Sequence, residues 1–226
     1  YNVVGSPTFV GLRNYAEIFT EDQEWRKSLL ITFKYVFTAV PCKIIFAFFI
    51  AMLMNMKLKA INFFRTVYYL PSILGGSVAV AILWKFIFMR SGVLNTLLDY
   101  FGVKPIDWLG SPDYALATLS VLVVWQFGSS MIVFLAGLKQ IPKELYEVAV
   151  VDGAGKVRSF FNITLPMISP MIFFNLVMQL VFAFQEFTGA FVVTNGGPAK
   201  STYLYALMLY NNAFGDLKMG YASAQS

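Results

Sequence analysis

The stretch from Ala115 to Leu138 contains no charged residue, and it constrains the fold of this chain more than any other feature of the sequence. A helix of about 20 apolar residues crosses the ~30 Å hydrocarbon core of a bilayer, so the stretch predicts a membrane span. Three further apolar stretches are long enough to do the same. We therefore predict an all-α membrane protein with four spans, at approximately 29–53, 67–89, 115–138 and 165–187.

The composition agrees with this prediction. Of the 226 residues, 58% are hydrophobic and 13% are charged, whereas a soluble domain carries about 25% charged residues. The net charge is +5, yet no basic run interleaved with aromatic residues indicates a nucleic-acid partner. The first span holds Lys34 and Lys43, whose long side chains can reach the membrane surface.

Several classes of chemistry are excluded by the residues present. There is a single cysteine, Cys42, and no histidine, which rules out disulfides, Cys/His zinc sites and histidine-based catalysis. The spans contain neither paired aspartates, nor a Ser/Lys dyad, nor a selectivity-filter sequence, and the chain lacks the GxxxxGK[ST] loop of ATP-hydrolysing proteins. We expect no catalytic residue, no metal site and no cofactor in this chain.

The positive charges indicate the orientation of the spans. Lys57, Lys59 and Arg65 lie between the first two spans, and a second basic loop, 139–166, lies between the last two. Loops rich in Lys and Arg remain in the cytoplasm. Both ends of the sequence then lie outside the cytoplasm, and we expect flanking spans that are missing from this sequence.

The loop 139–166 has an unusual pattern. Pro142 can open a helix and Glu144 favours its first turn, while Gly153 and Gly155 allow a bend before a second helical stretch. A short helix, a bend and another helix on the cytoplasmic face are suited to docking into a groove of a partner protein. By pattern alone, an amphipathic connector fits equally well.

This loop resembles the signature loop of ABC importer permeases, which reads Glu-Ala-Ala, three residues, Gly, nine residues, Ile, one residue, Leu-Pro. Val148 replaces the first alanine, a small change that leaves docking plausible. The matching and flanking positions, to which the resemblance assigns coupling to an ATPase, are Glu147, Ala149, Asp152, Gly153, Ala154, Ile163, Leu165 and Pro166.

The resemblance extends over nearly the whole chain. Phe9-Val10-Gly11-Leu12, Phe64-Arg65 with Leu70-Pro71, and Thr194-Asn195-Gly196-Gly197-Pro198 are similar to carbohydrate permeases of the maltose and glycerol-phosphate type. The resemblance implies a single transmembrane permease domain over 1–226, with the type I ABC importer fold. It also implies a bacterial cytoplasmic (inner) membrane location, and import of a sugar or oligosaccharide; a glycerol phosphodiester or an amino acid is the alternative solute.

The family also implies partners. They are an ABC ATPase dimer that binds ATP and Mg, a second and different permease subunit, an extracytoplasmic solute-binding protein, the sugar substrate and membrane lipid. ATP hydrolysis would belong to the ATPase subunits, so this chain is expected to be a pore subunit and no enzyme.

Polar side chains inside the last two spans are candidates for the solute path. Polar groups within a membrane usually face the bundle interior or a water-filled path. Gln179, Phe182 and Glu186 share one helix face, and Trp125, Gln126 and Ser129 lie within about one turn of the preceding span. Hydrogen-bonding groups beside an aromatic ring suit a sugar. Hydrogen bonding between helices is the alternative role of these residues.

Overall fold

The regular structure is helical throughout the part of the chain that the computed structural model describes, residues 8–56 and 60–226. The predicted cytoplasmic residues Lys57 and Lys59 lie outside the described residues. The helices are α1 Arg13–Thr20, α2 Gln23–Asn55, α3 Ile61–Leu74, α4 Val78–Phe88, α5 Val93–Tyr100, α6 Pro112–Trp125, α7 Gly128–Gln140, α8 Lys143–Val151, α9 Lys156–Ser159, α10 Leu165–Phe184, α11 Tyr205–Tyr210 and α12 Met219–Gln225. Three π-helical segments, Phe160–Thr164, Ala190–Thr194 and Asn211–Gly215, adjoin them.

Three helical stretches of the described residues are long and apolar enough to cross a membrane, namely Gln23–Asn55, Val78–Tyr100 and Lys156–Phe184. A fourth candidate is the pair α6 and α7, which passes the same test together but is bent by 46°. The all-helical, multi-span architecture expected from the sequence is therefore observed.

The helix bounds differ from the predicted spans at two places. The stretch 67–89 is not one helix, because α3 ends at Leu74 and α4 begins at Val78, where the Ser77 side chain accepts the amide N–H of Val80 at 3.2 Å. The stretch 115–138 is interrupted at Gln126 and Phe127, between α6 and α7. Mean hydropathy measures the apolar content of a segment. It does not detect a helix break, because the glycines and the glutamine at these breaks change the mean hydropathy little.

The described residues divide into two compact units, one formed by 8–38, 77–120 and 182–226 and the other by 39–56, 60–76 and 121–181. In the first unit Asp22 caps α2, because one carboxylate oxygen accepts the amide N–H of Trp25 at 2.8 Å. The other oxygen accepts the Tyr221 hydroxyl at 2.7 Å and the Gln225 amide at 3.1 Å. These bonds tie α12 to the start of α2.

The Asn-Gly-Gly-Pro sequence after Thr194 forms a turn in the first unit. Asn195 and Gly196 have φ of 49° and 78°, the left-handed region that asparagine and glycine tolerate. The Thr202 hydroxyl lies 2.7 Å from that of Thr194 and donates to the Gly197 carbonyl at 2.7 Å, so a buried side chain holds the loop closed.

In the second unit α7 packs between α3 and α10. Gly128 and Gly137 are its contact points, because a Cβ at Gly128 would lie 2.5 Å from the Tyr68 carbonyl oxygen and one at Gly137 would lie 3.0 Å from Met171. Glycine allows these close approaches. The packing places α7 so that it leads directly into the loop 139–166.

Candidate functional site

The loop 139–166 folds as a helix, a bend and a second helix. α8 spans Lys143–Val151, and the chain turns at Gly153, whose φ is +75°. The amide N–H of Ala154 donates to the Ala149 carbonyl at 2.8 Å, and that of Asp152 donates to Val148 at 3.0 Å, which closes the end of the helix. A Cβ at Gly153 would meet nothing within 4 Å, so its backbone conformation, and not crowding, favours glycine there.

α8 is exposed over most of its surface, and one of its faces combines acidic and apolar side chains. Glu144, Glu147, Val148 and Val151 follow the spacing i, i+3, i+4 and i+7, which is one helix face. All four are exposed in the chain, and the two valines are 61% and 87% exposed. A short helix thus carries an apolar surface flanked by two carboxylates.

The opposite face of α8 borders a cavity of about 430 Å³ in the second unit. Tyr146, Val150 and Ala154 contribute to its wall from the helix side. The Tyr146 hydroxyl lies 2.8 Å from the hydroxyl of Thr164, which joins α8 to the π-helical segment before α10. The remaining wall is formed by Met52, Asn55, Leu138, Lys156, Ser159, Phe160 and Thr164.

The second half of the signature is built into the start of α10. Ile163 lies in the π-helical segment, Leu165 is the first residue of α10, and Pro166 follows it within the continuous helical stretch Lys156–Phe184. Ile163 and Leu165 are half-buried and Pro166 is exposed. The structure therefore brings all eight predicted coupling residues into one unit.

Trp125, Gln126 and Ser129 lie at the break between α6 and α7. Trp125 is half-buried and Ser129 is exposed, so both leave part of the side chain accessible. The Gln126 amide instead donates a hydrogen bond to the Gly75 carbonyl at 2.9 Å, at the end of α3. Sequence reasoning missed this bond because it joins residues 51 positions apart, and no local pattern marks such a pair.

The residues predicted on α10 have different environments. Gln179 is buried at 7% exposure in the second unit, and Asn175 one turn before it is buried as well. Phe182, in the first unit, is 56% exposed. Glu186 lies beyond the end of α10, half-buried, and one of its oxygens accepts the Gly189 amide N–H at 2.7 Å, which caps the following helical turn. Glutamate is not among the residues that typically cap helix N-termini, so no local sequence signal marked this bond.

Comparisons with known proteins agree with the arrangement. Residues 23–224 match the family described as binding-protein-dependent transport system inner membrane component. The chain is 50% identical over its full length to the probable ABC transporter permease protein YesP of Bacillus subtilis, of which it covers 74%. It is 32% identical to the trehalose/maltose transport system permease protein MalF of Thermococcus litoralis, over 90% of this chain and 69% of that protein.

A solved structure shows the same fold. The match is to a bacterial ABC transporter involved in the import of the acidic polysaccharide alginate, with a TM-score of 0.85 at 22% identity, over 97% of this chain and 78% of that one. The chain thus has the transmembrane fold of type I ABC importers. With the family match over most of its length, it belongs to the binding-protein-dependent transport system inner membrane components, the permease subunits of ABC importers.

Proposed function

We propose that this chain forms part of the translocation pore of an ATP-driven importer for a sugar or oligosaccharide, and that it couples to an ATPase subunit through the loop 141–166. The exposed face of α8 carries the proposal. Val148 and Val151 are exposed at 61% and 87% on a short loop helix, and apolar side chains on such a helix gain free energy when a partner covers them.

The chemistry of this face defines the partner. A cleft with an apolar floor would take up the two valines, and a cation at its rim would pair with Glu147. Gly153 permits the bend that presents α8, while Ala149, Asp152 and Ala154 belong to the turn beneath it. The partner is an ABC ATPase dimer that binds ATP and Mg, and this chain itself needs no cofactor.

A saccharide is the solute favoured by the relatives and by the residues. The trehalose/maltose permease shares 32% identity with this chain. In the first unit, Phe182 offers an exposed ring for the apolar face of a sugar and Glu186 offers a carboxylate. In the second unit, Trp125, Ser129 and the buried Gln179 are the proposed hydrogen-bonding groups. Glu186 keeps its bond to the Gly189 amide in this proposal, and its carboxylate contacts the solute as well.

The assembly follows the same family pattern. A second, different permease subunit would complete the pore, and an extracytoplasmic binding protein would deliver the solute at the outer face. The complex would lie in the cytoplasmic (inner) membrane of a bacterium.

The test is solute-stimulated ATP hydrolysis by the reconstituted transporter, measured with maltotriose, an alginate oligosaccharide, an amino acid and glycerophosphocholine. Phe182→Ala should raise the half-saturating concentration of the active saccharide about tenfold, since an aromatic ring buried against a ligand contributes about 1.5 kcal/mol. Phe173→Ala is the matched control, because Phe173 is 69% exposed on the same helix but nine residues earlier, on the opposite face.

The outcomes separate the alternatives. Stimulation by a saccharide supports the proposal, and stimulation by the amino acid or by the phosphodiester alone assigns the alternative solute. If Phe173→Ala and Phe182→Ala raise the half-saturating concentration equally, the pore assignment of Phe182 is wrong. If Glu147→Ala leaves solute-stimulated hydrolysis unchanged, Glu147 takes no part in coupling.

A further inference from the structure

Two helix breaks meet in the second unit. α3 ends at Leu74, just before Gly75 and Gly76, and α6 and α7 are bent by 46° at Gln126 and Phe127. The side-chain amide of Gln126 donates to the Gly75 carbonyl at 2.9 Å. A side chain at the break between α6 and α7 is therefore hydrogen-bonded to the backbone at the end of α3.

The junction leaves no room for larger residues. A Cβ at Gly75 would lie 2.4 Å from the Cδ atom of Gln126, and one at Gly128 would lie 2.5 Å from the carbonyl oxygen of Tyr68. The first obstacle is a flexible side chain and the second is backbone. Glycine at position 128 is thus a condition of the close approach between α3 and α7, whereas a Cβ at position 75 would displace the Gln126 side chain.

The hydrogen bond also meets a requirement of the membrane. Carbonyl groups at the end of a helix have no partner within the helix, and a bilayer supplies no water to satisfy them. Gln126 supplies the donor for Gly75. Phe127 anchors the same bend, with its ring centroid 4.9 Å from that of Phe46 and 5.9 Å from that of Tyr68.

α7 connects this junction with the loop that carries α8. It runs for 13 residues from Gly128 to Gln140, a length of about 20 Å, and α8 begins at Lys143. Along its length, Gly137 lies against Ile168 and Met171 of α10. One end of a rigid helix is therefore held by Gln126 and the other end leads into the coupling loop.

We propose that Gln126 is a positioning residue that clamps the bend of α6 and α7 to the end of α3, and that this clamp sets the position from which α7 moves α8 during the ATP cycle. Gln126 then acts on coupling and is no solute ligand, which revises its predicted role. The inference rests on the proposed function, since it takes α8 as the helix that docks with the ATPase.

Solute-free ATP hydrolysis distinguishes the two roles of Gln126, because a solute ligand has no effect when solute is absent. The transporter complex with its ATPase subunits is reconstituted in nanodiscs, and hydrolysis is measured against ATP concentration with no solute added. The variants are Gln126→Met, which keeps the length and removes the donor, Gly75→Ala, which displaces the amide, and the double variant. Gly76→Ala is the matched control, since a Cβ there would meet nothing within 4 Å.

The clamp predicts that Gln126→Met and Gly75→Ala change the solute-free turnover in the same direction, by about fivefold, the factor that corresponds to one hydrogen bond of ordinary strength. The KM for ATP should stay unchanged. The double variant should show no more than the effect of one substitution, because both remove the same bond. Gly76→Ala should remain within about twofold of wild type, which corresponds to a surface change with no lost contact.

Two results would overturn the proposal. One is an unchanged solute-free turnover in Gln126→Met, and the other is a double variant whose effects multiply. If Gly75→Ala fails to fold, the comparison of solute-free turnover between Gln126→Met and the control Gly76→Ala still tests the proposal. Failure of the proposed function is seen separately, as a wild-type transporter whose ATP hydrolysis no saccharide stimulates.

Discussion

The substitution Val151→Ala tests the docking face of α8 most directly. Val151 is 87% exposed at the end of α8, on the same face as Val148 and Glu147. The substitution removes two methyl-sized groups, keeps the charge of the loop unchanged and favours the helix, since alanine has the highest helix propensity. Any effect on binding to the ATPase therefore comes from lost apolar contact.

The expected size follows from the exposed area. Each buried CH₂ group contributes about 0.8 kcal/mol, so two groups contribute about 1.6 kcal/mol when fully covered. Because 87% of Val151 is free to be covered, the loss is about 1.4 kcal/mol, or about tenfold in the dissociation constant. Val148, at 61% exposure, gives about 1 kcal/mol by the same reasoning, or about fivefold.

The assay is a titration of the purified ATPase subunit onto the permease complex in nanodiscs, with the dissociation constant measured for each variant. Val150→Ala is the matched control. It removes the same groups from a valine of comparable exposure, 68%, which lies about 100° around α8 from Val151 and borders the cavity. Its dissociation constant should stay within about twofold of wild type, as for a position outside the interface.

The reasoning fails if Val150→Ala weakens binding as much as Val151→Ala does, because the two faces of α8 would then be equivalent. It also fails if Val148→Ala and Val151→Ala both leave the dissociation constant unchanged. In that case the apolar face of α8 would be covered by something other than the ATPase.

Three further predictions concern stability. Gly128→Ala should lower the melting temperature by about 4–8 °C relative to wild type in detergent, since overpacking against backbone costs about 2 kcal/mol, and an unchanged value would contradict the close packing of α3 and α7. Thr202→Val removes the bonds to Thr194 and to the Gly197 carbonyl and should cost about 2 kcal/mol by denaturant unfolding, whereas Thr202→Ser, which keeps the hydroxyl, should cost less than half as much. Burial, and then the hydrogen bond to Asp22, raise the pKa of Tyr221 above its usual 10.0, so the contribution of the hydroxyl to stability is complete below pH 10 and is lost as the pH rises through the raised pKa. The difference in unfolding free energy between Tyr221→Phe and wild type should therefore shrink above pH 10. A difference that grows above pH 10 would refute the bond.

Much of the fold was predictable because it depends on local sequence. The long helices α2 and α10 follow from apolar length, and the bend at Gly153 follows from glycine between two helical stretches. The residues of the loop 139–166 were singled out by its resemblance to the signature loop of ABC importer permeases, and the hydrogen bonds of its bend are made within that segment.

The breaks at Gly75 and Gln126 were not predictable in the same way. A window of hydropathy averages over about 19 residues and passes through a break without a signal. By sequence alone, Gln126 is a polar residue inside a predicted span. Such a residue fits a pore-lining role and an interhelical hydrogen bond equally well. Its partner became evident only with the Gly75 carbonyl 2.9 Å away.

The sequence by itself determined that this chain is an all-helical membrane protein with a helix–bend–helix loop at 139–166, because apolar length and residue spacing are properties of neighbouring residues. Only the tertiary structure decided which face of α8 borders a cavity, and which polar side chains in the spans are already engaged. Those outcomes depend on distant backbone groups, such as the Gly75 carbonyl bonded by Gln126. A buried polar group forms a hydrogen bond with the partner that folding brings close to it. The sequence pattern does not contain the distance between the two groups.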